Sequence, residues 1–262
     1  MKDVKLGLAL GAGGAKGMAH IGFLEVLAAN NIKIDYITGS SMGALIGSMY
    51  CLGIGFDIMK NRFTNMQQKS VMDFDILFFK RLSVAKGKKV EELINQLLGE
   101  TTFEDCYIPF ACTAVDLIKG EGVVLNEGFL SDAVLASCSI PSAFPPVECG
   151  DRLLVDGGAY DRVPVGACFD LGATVVIGVD VVGKPAVLKE SPKSFVTVAT
   201  RTFEIMEYYL TLLKGTKADL MITIQQDNVK SMVVKNLKES YQMGKLAALK
   251  NLEKIKKLIN KK

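Results

Sequence analysis

Apolar residues near the start of the chain come in short continuous runs, and each run stops at glycine. Val4 to Leu10 carries one charged side chain, Lys5, and leads into Gly11-Ala-Gly-Gly-Ala-Lys-Gly17. From Met18 to Asn30 the apolar positions Ile21, Leu24, Val26 and Leu27 fall at helical spacing. The pattern predicts a buried strand, a glycine turn and a helix. It repeats at once, with a strand over Ile34 to Thr38, a turn at Gly39-Ser-Ser-Met-Gly43 and an apolar helix over Ala44 to Leu52. Two such units in succession predict a mainly parallel sheet of an α/β fold, covered by helices on both faces.

Further along, residues Phe56 to Gly99 are mainly helical in pattern, with Val90, Leu93, Ile94, Leu97 and Leu98 as a stripe that Gly99 ends. The apolar residues Met59, Phe63, Met66, Phe74, Ile76, Leu77, Phe78 and Phe79 fit either an ordinary helix core or an acyl channel or cover. Strands are predicted over Ile108 to Val115, Gly122 to Leu125 and Arg152 to Val155, and a short helix over Leu130 to Cys138. The β-branched content of Ala173 to Val182 marks a strong strand. A helix over Phe195 to Leu213, a strand over Asp219 to Ile224 and a long helix over Asn236 to Asn260 complete the chain.

Composition narrows the class. The 262 residues are 49% apolar and 23% charged, with a formal net charge of +3, which excludes disorder and fibrous repeats. No run approaches the roughly 18 to 20 apolar residues of a membrane-spanning helix. One domain over residues 1–262 is expected. Met1-Lys-Asp-Val-Lys before an apolar run imitates a secretory leader, but the run is short, rich in glycine and continues into a helix, so a structural strand is expected. The six cysteines form no C-x-x-C pair, and a single histidine leaves no familiar zinc spacing, so reduced, mostly buried thiols in a cytoplasmic protein are expected.

Nine lysines against Glu239 and Glu253 follow from Lys235 onward. Leu237, Tyr241, Leu252, Ile255 and Ile259 make a core-facing stripe on that helix, which leaves the lysines as a solvated face. Peripheral contact with an anionic membrane surface is the other use of such a face. No helix-turn-helix, zinc finger or aromatic RNA-binding signature accompanies the charge, so a nucleic-acid partner is not expected.

The chemistry-bearing residues lie at the turns. Gly39-Ser40-Ser41-Met42-Gly43 fits G-x-S-x-G between a predicted strand and a predicted helix, the context of a nucleophile elbow. Gly39 and Gly43 leave room for Ser41 to project, and the following helix favours negative charge beside it. The loop Gly11 to Gly17 admits three readings. It fails the Walker pattern because Gly17 follows Lys16, yet a looser dinucleotide turn with Asp35 as ribose partner survives. An oxyanion hole of unhindered glycine N–H groups is the second reading, and a ligand-free tight turn the third. Asp156, at the end of the strand Leu153-Leu-Val155, either caps a turn or serves as base for Ser41. A Ser-His-Asp triad would need His20, which is expected instead to pack beside the sheet, so a Ser-Asp dyad is the economical solution for a hydrolase.

Taken in order, these blocks resemble the patatin-like phospholipase family, in particular compact bacterial members related to the catalytic domain of neuropathy target esterase. Leu8 to Gly22 resembles the family's glycine-rich oxyanion block, Gly39 to Gly43 its elbow and Asp156-Gly157 its Asp-Gly motif. Ala136-Ser-Cys-Ser-Ile-Pro-Ser-Ala-Phe-Pro-Pro-Val147 resembles the segment that precedes that aspartate. Ala12 departs from the pattern where another glycine is frequent. The resemblance runs over about residues 5–182, and residues 183–262 match only in general character. It implies a three-layer α/β/α fold and a serine lipid acyl hydrolase of phospholipase A, lysophospholipase or carboxylesterase type. Ser41 would be the nucleophile and Asp156 the base, with Gly13, Gly14, Ala15, Lys16 and Gly17 around the oxyanion and substrate. It also implies no metal, no cofactor and a lipid or acyl-ester substrate. A nucleotide-binding protein using Gly11 to Gly17 is the alternative.

Overall fold

The computed structural model describes residues 4–64, 87–141, 143–188, 190–229 and 236–260. The first strand, β1 (Leu6–Leu10), shows why both faces of the sheet are covered. Leu6, Leu8 and Leu10 enter the larger core, whereas Ala9 joins Val163, Val165, Cys168 and Val176 on the other face. Gly7 belongs to this second face too, since a Cβ there would lie 2.3 Å from the Cys168 Sγ. Alternation of leucine with glycine and alanine thus gives one face bulky knobs and the other a close helix approach.

The elements follow as α1 (Met18–Ala29), β2 (Tyr36–Gly39), α2 (Met42–Cys51), α3 (Phe56–Thr64), α4 (Lys88–Leu98), β3 (Phe110–Asp116), β4 (Glu121–Leu125) and α5 (Leu130–Cys138). Then come β5 (Val147–Cys149), β6 (Arg152–Asp156), α6 (Val165–Asp170), β7 (Val175–Asp180), α7 (Phe195–Lys214), β8 (Leu220–Thr223) and α8 (Leu237–Ile259). Strands β3, β2, β1, β7 and β8 are mutually parallel, and β4, β6 and β5 add antiparallel pairings at the β3 side. Helices α1, α2, α5 and α8 contribute to the larger core and α6 to the smaller, giving the expected three-layer α/β/α arrangement. Two elements escaped the sequence pattern. Strand β5 has three residues, too few for a period, and α6 has six, opened by Pro164.

Register explains how the two chemical turns meet. Cys112 of β3 pairs with both Leu125 of β4 and Gly39 of β2, so β4 and β2 occupy opposite edges of β3. Ala114 pairs with both Val123 of β4 and Asp156 of β6, which puts β6 on the same edge as β2. Strand β2 therefore runs up that edge to its end at Gly39, and β6 runs down it to its end at Asp156. The turn after each strand opens at the same place.

Helix α8 packs along α1, with Gly244 against the Ala19 carbonyl and Gly22 against the Tyr241 carbonyl. Its predicted stripe faces this contact: Ile255 is fully buried, and Leu237, Tyr241, Leu252 and Ile259 pack on the core. Met59 and Phe63 belong to the same core. Met66, Phe74, Ile76, Leu77, Phe78 and Phe79 lie outside the described residues. Among the described residues no helix is long and apolar enough to cross a membrane.

Candidate active site

Ser41 sits between β2 and α2 with φ 52° and ψ −122°, a left-handed backbone that few non-glycine residues adopt. Its neighbours allow this. A Cβ on Gly39 would lie 2.5 Å from the Ala44 backbone, and one on Gly43 would lie 2.1 Å from the Leu10 carbonyl oxygen. Neither position accepts a side chain, as the G-x-S-x-G spacing predicts. The elbow is then held from α5, where the Ser137 hydroxyl accepts the Ser41 N–H at 2.9 Å.

Asp156 is brought in by the same segment, since the Ser139 carbonyl accepts the Asp156 N–H at 3.0 Å. One short stretch at the end of α5 thus fixes both turns, which gives the block around Ala136 to Val147 a physical role. The Asp156 carboxylate accepts the Gly158 N–H at 2.8 Å, and the Ser41 hydroxyl stands beside it in the same cleft, where it favours the charged form. Burial pushes its carboxyl up to about 6, and these two donors pull against that rise. Gly157 must lack a side chain, because its Cβ would lie 2.3 Å from the Thr113 carbonyl oxygen.

The glycine loop forms the facing wall. Gly13 and Gly14 line the cleft beside Ser41 and Asp156, and no hydrogen bond to either N–H is found among the described residues. Gly14 has φ 52° and opens a 3-10 turn (Gly14–Gly17), so its N–H has no helical partner by position. Ala12 also lines the cleft, with its own N–H held by the Arg162 carbonyl at 2.9 Å.

Ala15, Lys16 and Gly17 are absent from the cleft lining and serve to position the loop. The Lys16 carbonyl accepts from the Gln226 amide at 3.0 Å and the Ser240 hydroxyl at 2.8 Å. A Cβ on Gly17 would lie 2.2 Å from Met42 Cγ, so glycine lets the loop close on the elbow. Burial lowers the Lys16 ammonium from its ordinary value, with Glu204, Asp227 and Asp180 opposing.

His20 is fully buried and bonds the Gly11 carbonyl at 2.8 Å through Nε2. A carbonyl only accepts, so Nε2 carries the proton and the ring supports the loop from behind. Burial pushes its imidazole down to about 4, and Nδ1 has no partner among the described residues. Asp35 lies at the other end of β1: its carboxylate accepts the Leu6 N–H and pairs with Lys33. The ribose partner that a dinucleotide turn would need is therefore a strand length away from the loop.

Two parts of the site carried no sequence signal. Arg162 and Asp180 form a fully buried ion pair at 3.0 Å, and the second Asp180 oxygen accepts the N–H groups of Val182 and Gly183, which shapes the cleft at Val182. Helix α7 supplies Thr200, Phe203, Glu204 and Glu207 to the cleft. A Cβ built on Gly158 would lie 3.1 Å from an Asp156 oxygen and 3.2 Å from a Glu207 oxygen, so the two carboxyls are within about 6 Å. Burial and then the Asp156 charge push the Glu207 carboxyl up to about 7. Residues on distant elements meet here only through the fold, and no local spacing announces them. The six cysteines are free, and Cys51, Cys112 and Cys168 are buried.

This arrangement has relatives. The patatin-like phospholipase family matches residues 8–169. An uncharacterized NTE family protein of Mycobacterium bovis is 31% identical over 182 residues, which cover 70% of this chain and 50% of that one. A lysophospholipase, nte1, of Emericella nidulans is 30% identical over 179 residues, 67% of this chain and 12% of the relative. The chain thus spans half or less of the length of these relatives. Among solved structures, VipD from Legionella pneumophila superposes with a TM-score of 0.58 at 14% identity, covering 98% of this chain and 67% of that one, a likeness of fold alone. On the extent of the family match and the identity to its curated relatives, the chain belongs to the patatin-like phospholipase family.

Proposed function

We propose that the protein is a serine hydrolase of lipid acyl esters, acting through a Ser41-Asp156 dyad and an acyl-serine intermediate. The observation that carries this reading is the Ser41 hydroxyl, raised on a left-handed elbow into one cleft with the buried Asp156 carboxylate and with glycine N–H groups for which no acceptor is found among the described residues. Asp156 takes the Ser41 proton as the oxygen attacks the ester carbonyl. A carboxyl near 6 is a better base at neutral pH than a free aspartate near 3.9. The N–H groups of Gly13 and Gly14, with the start of α2, stabilise the tetrahedral oxyanion, and one such donor is worth about 10² to 10³ in rate. Collapse expels the alcohol, which takes the proton from Asp156. Water deprotonated by Asp156 then attacks the acyl-serine, and the same steps release the fatty acid.

Membership of the family favours phospholipid or lysophospholipid esters over other acyl donors. Lys238, Lys250, Lys254 and Lys257 form an exposed basic face on α8, which in this reading draws the protein toward anionic membranes. The test is release of fatty acid from phosphatidylcholine, lysophosphatidylcholine and a short-chain aryl ester by the purified chain. Ser41→Ala is expected to lose at least about 10³-fold in turnover of each ester cleaved. Undiminished turnover by folded Ser41→Ala protein would refute the assignment.

A further inference from the structure

Helix α7 has its polarity reversed relative to an ordinary surface helix. Thr200, Phe203, Glu204 and Glu207 face inward and line the cleft. Val198, Ile205, Met206, Tyr209 and Leu212 fall on the opposite side, within one arc of roughly 120° at 3.6 residues per turn. All five are exposed, Tyr209 to 61% and Met206 to 52%. Between Phe195 and Lys214 the only acidic residues are Glu204 and Glu207, both in the cleft, so the outer face bears no carboxylate.

The apolar surface extends beyond the helix. The Arg201 guanidinium donates to the Ala186 carbonyl at 2.6 Å, which holds the preceding loop against α7 and displays Val187 at 94% exposure. Lys184 before this loop and Lys217 after the helix are exposed. The main packing partners of α7 are the turn beside Asp156, Gly157–Ala159, and the turn at its own end, Gly215–Lys217. The helix face is an apolar strip with a tyrosine, no acidic group and basic ends, and the exposed Glu190 of the loop before it is paired with Lys193 at 2.9 Å, a pattern that matches a helix lying in a lipid-water interface.

We propose that the outer face of α7 docks on an anionic bilayer, so that the wall of the cleft becomes the surface seated in the substrate's own phase. This rests on the lipid-ester reading of Ser41 and deepens it. A second copy of the chain is the other occupant such a face could take. The charge pattern favours the bilayer, since both faces of a symmetric pair would bring like basic ends together.

The chain contains no tryptophan, which makes a clean reporter available. Tyr209→Trp is placed in the Ser41→Ala background, so that binding is read without hydrolysis and stands apart from the fate of the catalytic reading. Tyr107→Trp is the control, because Tyr107 is 84% exposed and its N–H bonds the Cys51 carbonyl, at the far end of α2 from Ser41. Equimolar phosphatidylcholine and phosphatidylglycerol vesicles are expected to shift the Tyr209→Trp emission to the blue and leave that of Tyr107→Trp unchanged. Met206→Gln with Leu212→Gln is expected to weaken vesicle partitioning at least tenfold while short-chain ester turnover by the otherwise native chain stays within twofold. The proposal is overturned by absent vesicle binding, by equal shifts in both reporters, or by binding lost only when Lys250, Lys254 and Lys257 are neutralised. It is equally overturned if sedimentation shows a dimer that Met206→Gln with Leu212→Gln dissociates.

Discussion

Asp156 combines two demands that oppose each other. Its carboxyl is buried, which raises it to about 6, and it must be ionised to take a proton from Ser41. Activity is therefore expected to rise with pH through about 6, measured as kcat/KM against pH on a soluble ester. Glu207, pushed up to about 7, sits within about 6 Å and shares the cleft. Glu207 therefore still holds its proton while Asp156 ionises, so Glu207→Gln is expected to leave the acid limb near 6. A limb moved to lower pH would show that Glu207 is already charged when Asp156 titrates. The same burial has a thermodynamic consequence. Because the folded-state value of Asp156 lies above its unfolded value near 3.8, the folded protein holds more protons between pH 4 and 6, and its stability falls as pH rises through that window. Asp156→Asn should thus abolish turnover yet stabilise the fold by about 2 kcal/mol at pH 7. Denaturant melts at pH 4 and pH 7 would check this, with the gain confined to the higher pH.

At the level of elements, the site depends on the end of α5 as much as on the two turns. Ser137 holds the Ser41 N–H, and its loss leaves that donor buried without a partner. Ser137→Ala is expected to slow acylation about tenfold through a loosened elbow, while costing about 1 to 2 kcal/mol of stability. Stopped-flow measurement of the acylation burst separates this from a change in binding. Strand, turn and helix were legible here because β1 and β2 are short, largely apolar segments that run into glycine turns, each followed by an apolar helix. The antiparallel arrival of β6 was not legible. Nothing in Arg152 to Asp156 states which edge it joins, and only the shared pairing of Cys112 and Ala114 decides that. The role of Ser137 and Ser139 was hidden for the same reason, since a hydroxyl and a carbonyl acquire their partners only when α5 is packed.

Across the whole molecule, the last third of the chain holds the first. Gln226 and Ser240 fix the Lys16 carbonyl behind the glycine loop, and α8 covers α1. The Tyr241 hydroxyl and Glu25 add a hydrogen bond between the same two helices. The pattern predicted the α8 stripe well but gave no hint of this support, because a lone Gln and Ser carry no spacing signal. The close crossing is testable. A Cβ on Gly244 would lie 1.9 Å from the Ala19 carbonyl oxygen, so the helices must separate to admit any side chain. Gly244→Leu is expected to cost at least about 2 kcal/mol in chemical denaturation and to lower turnover through the displaced loop. An unchanged melt would mean that α8 is not seated on α1 as described.

The central claim, that the fold turns Ser41 into an activated nucleophile, is tested most directly by peptide-mapped labelling with a fluorophosphonate. One adduct per chain on Ser41 is predicted, none on Ser40, and none in folded Ser41→Ala or Asp156→Asn protein. Labelling of Ser40, or equal labelling with Asp156 replaced, would contradict the account.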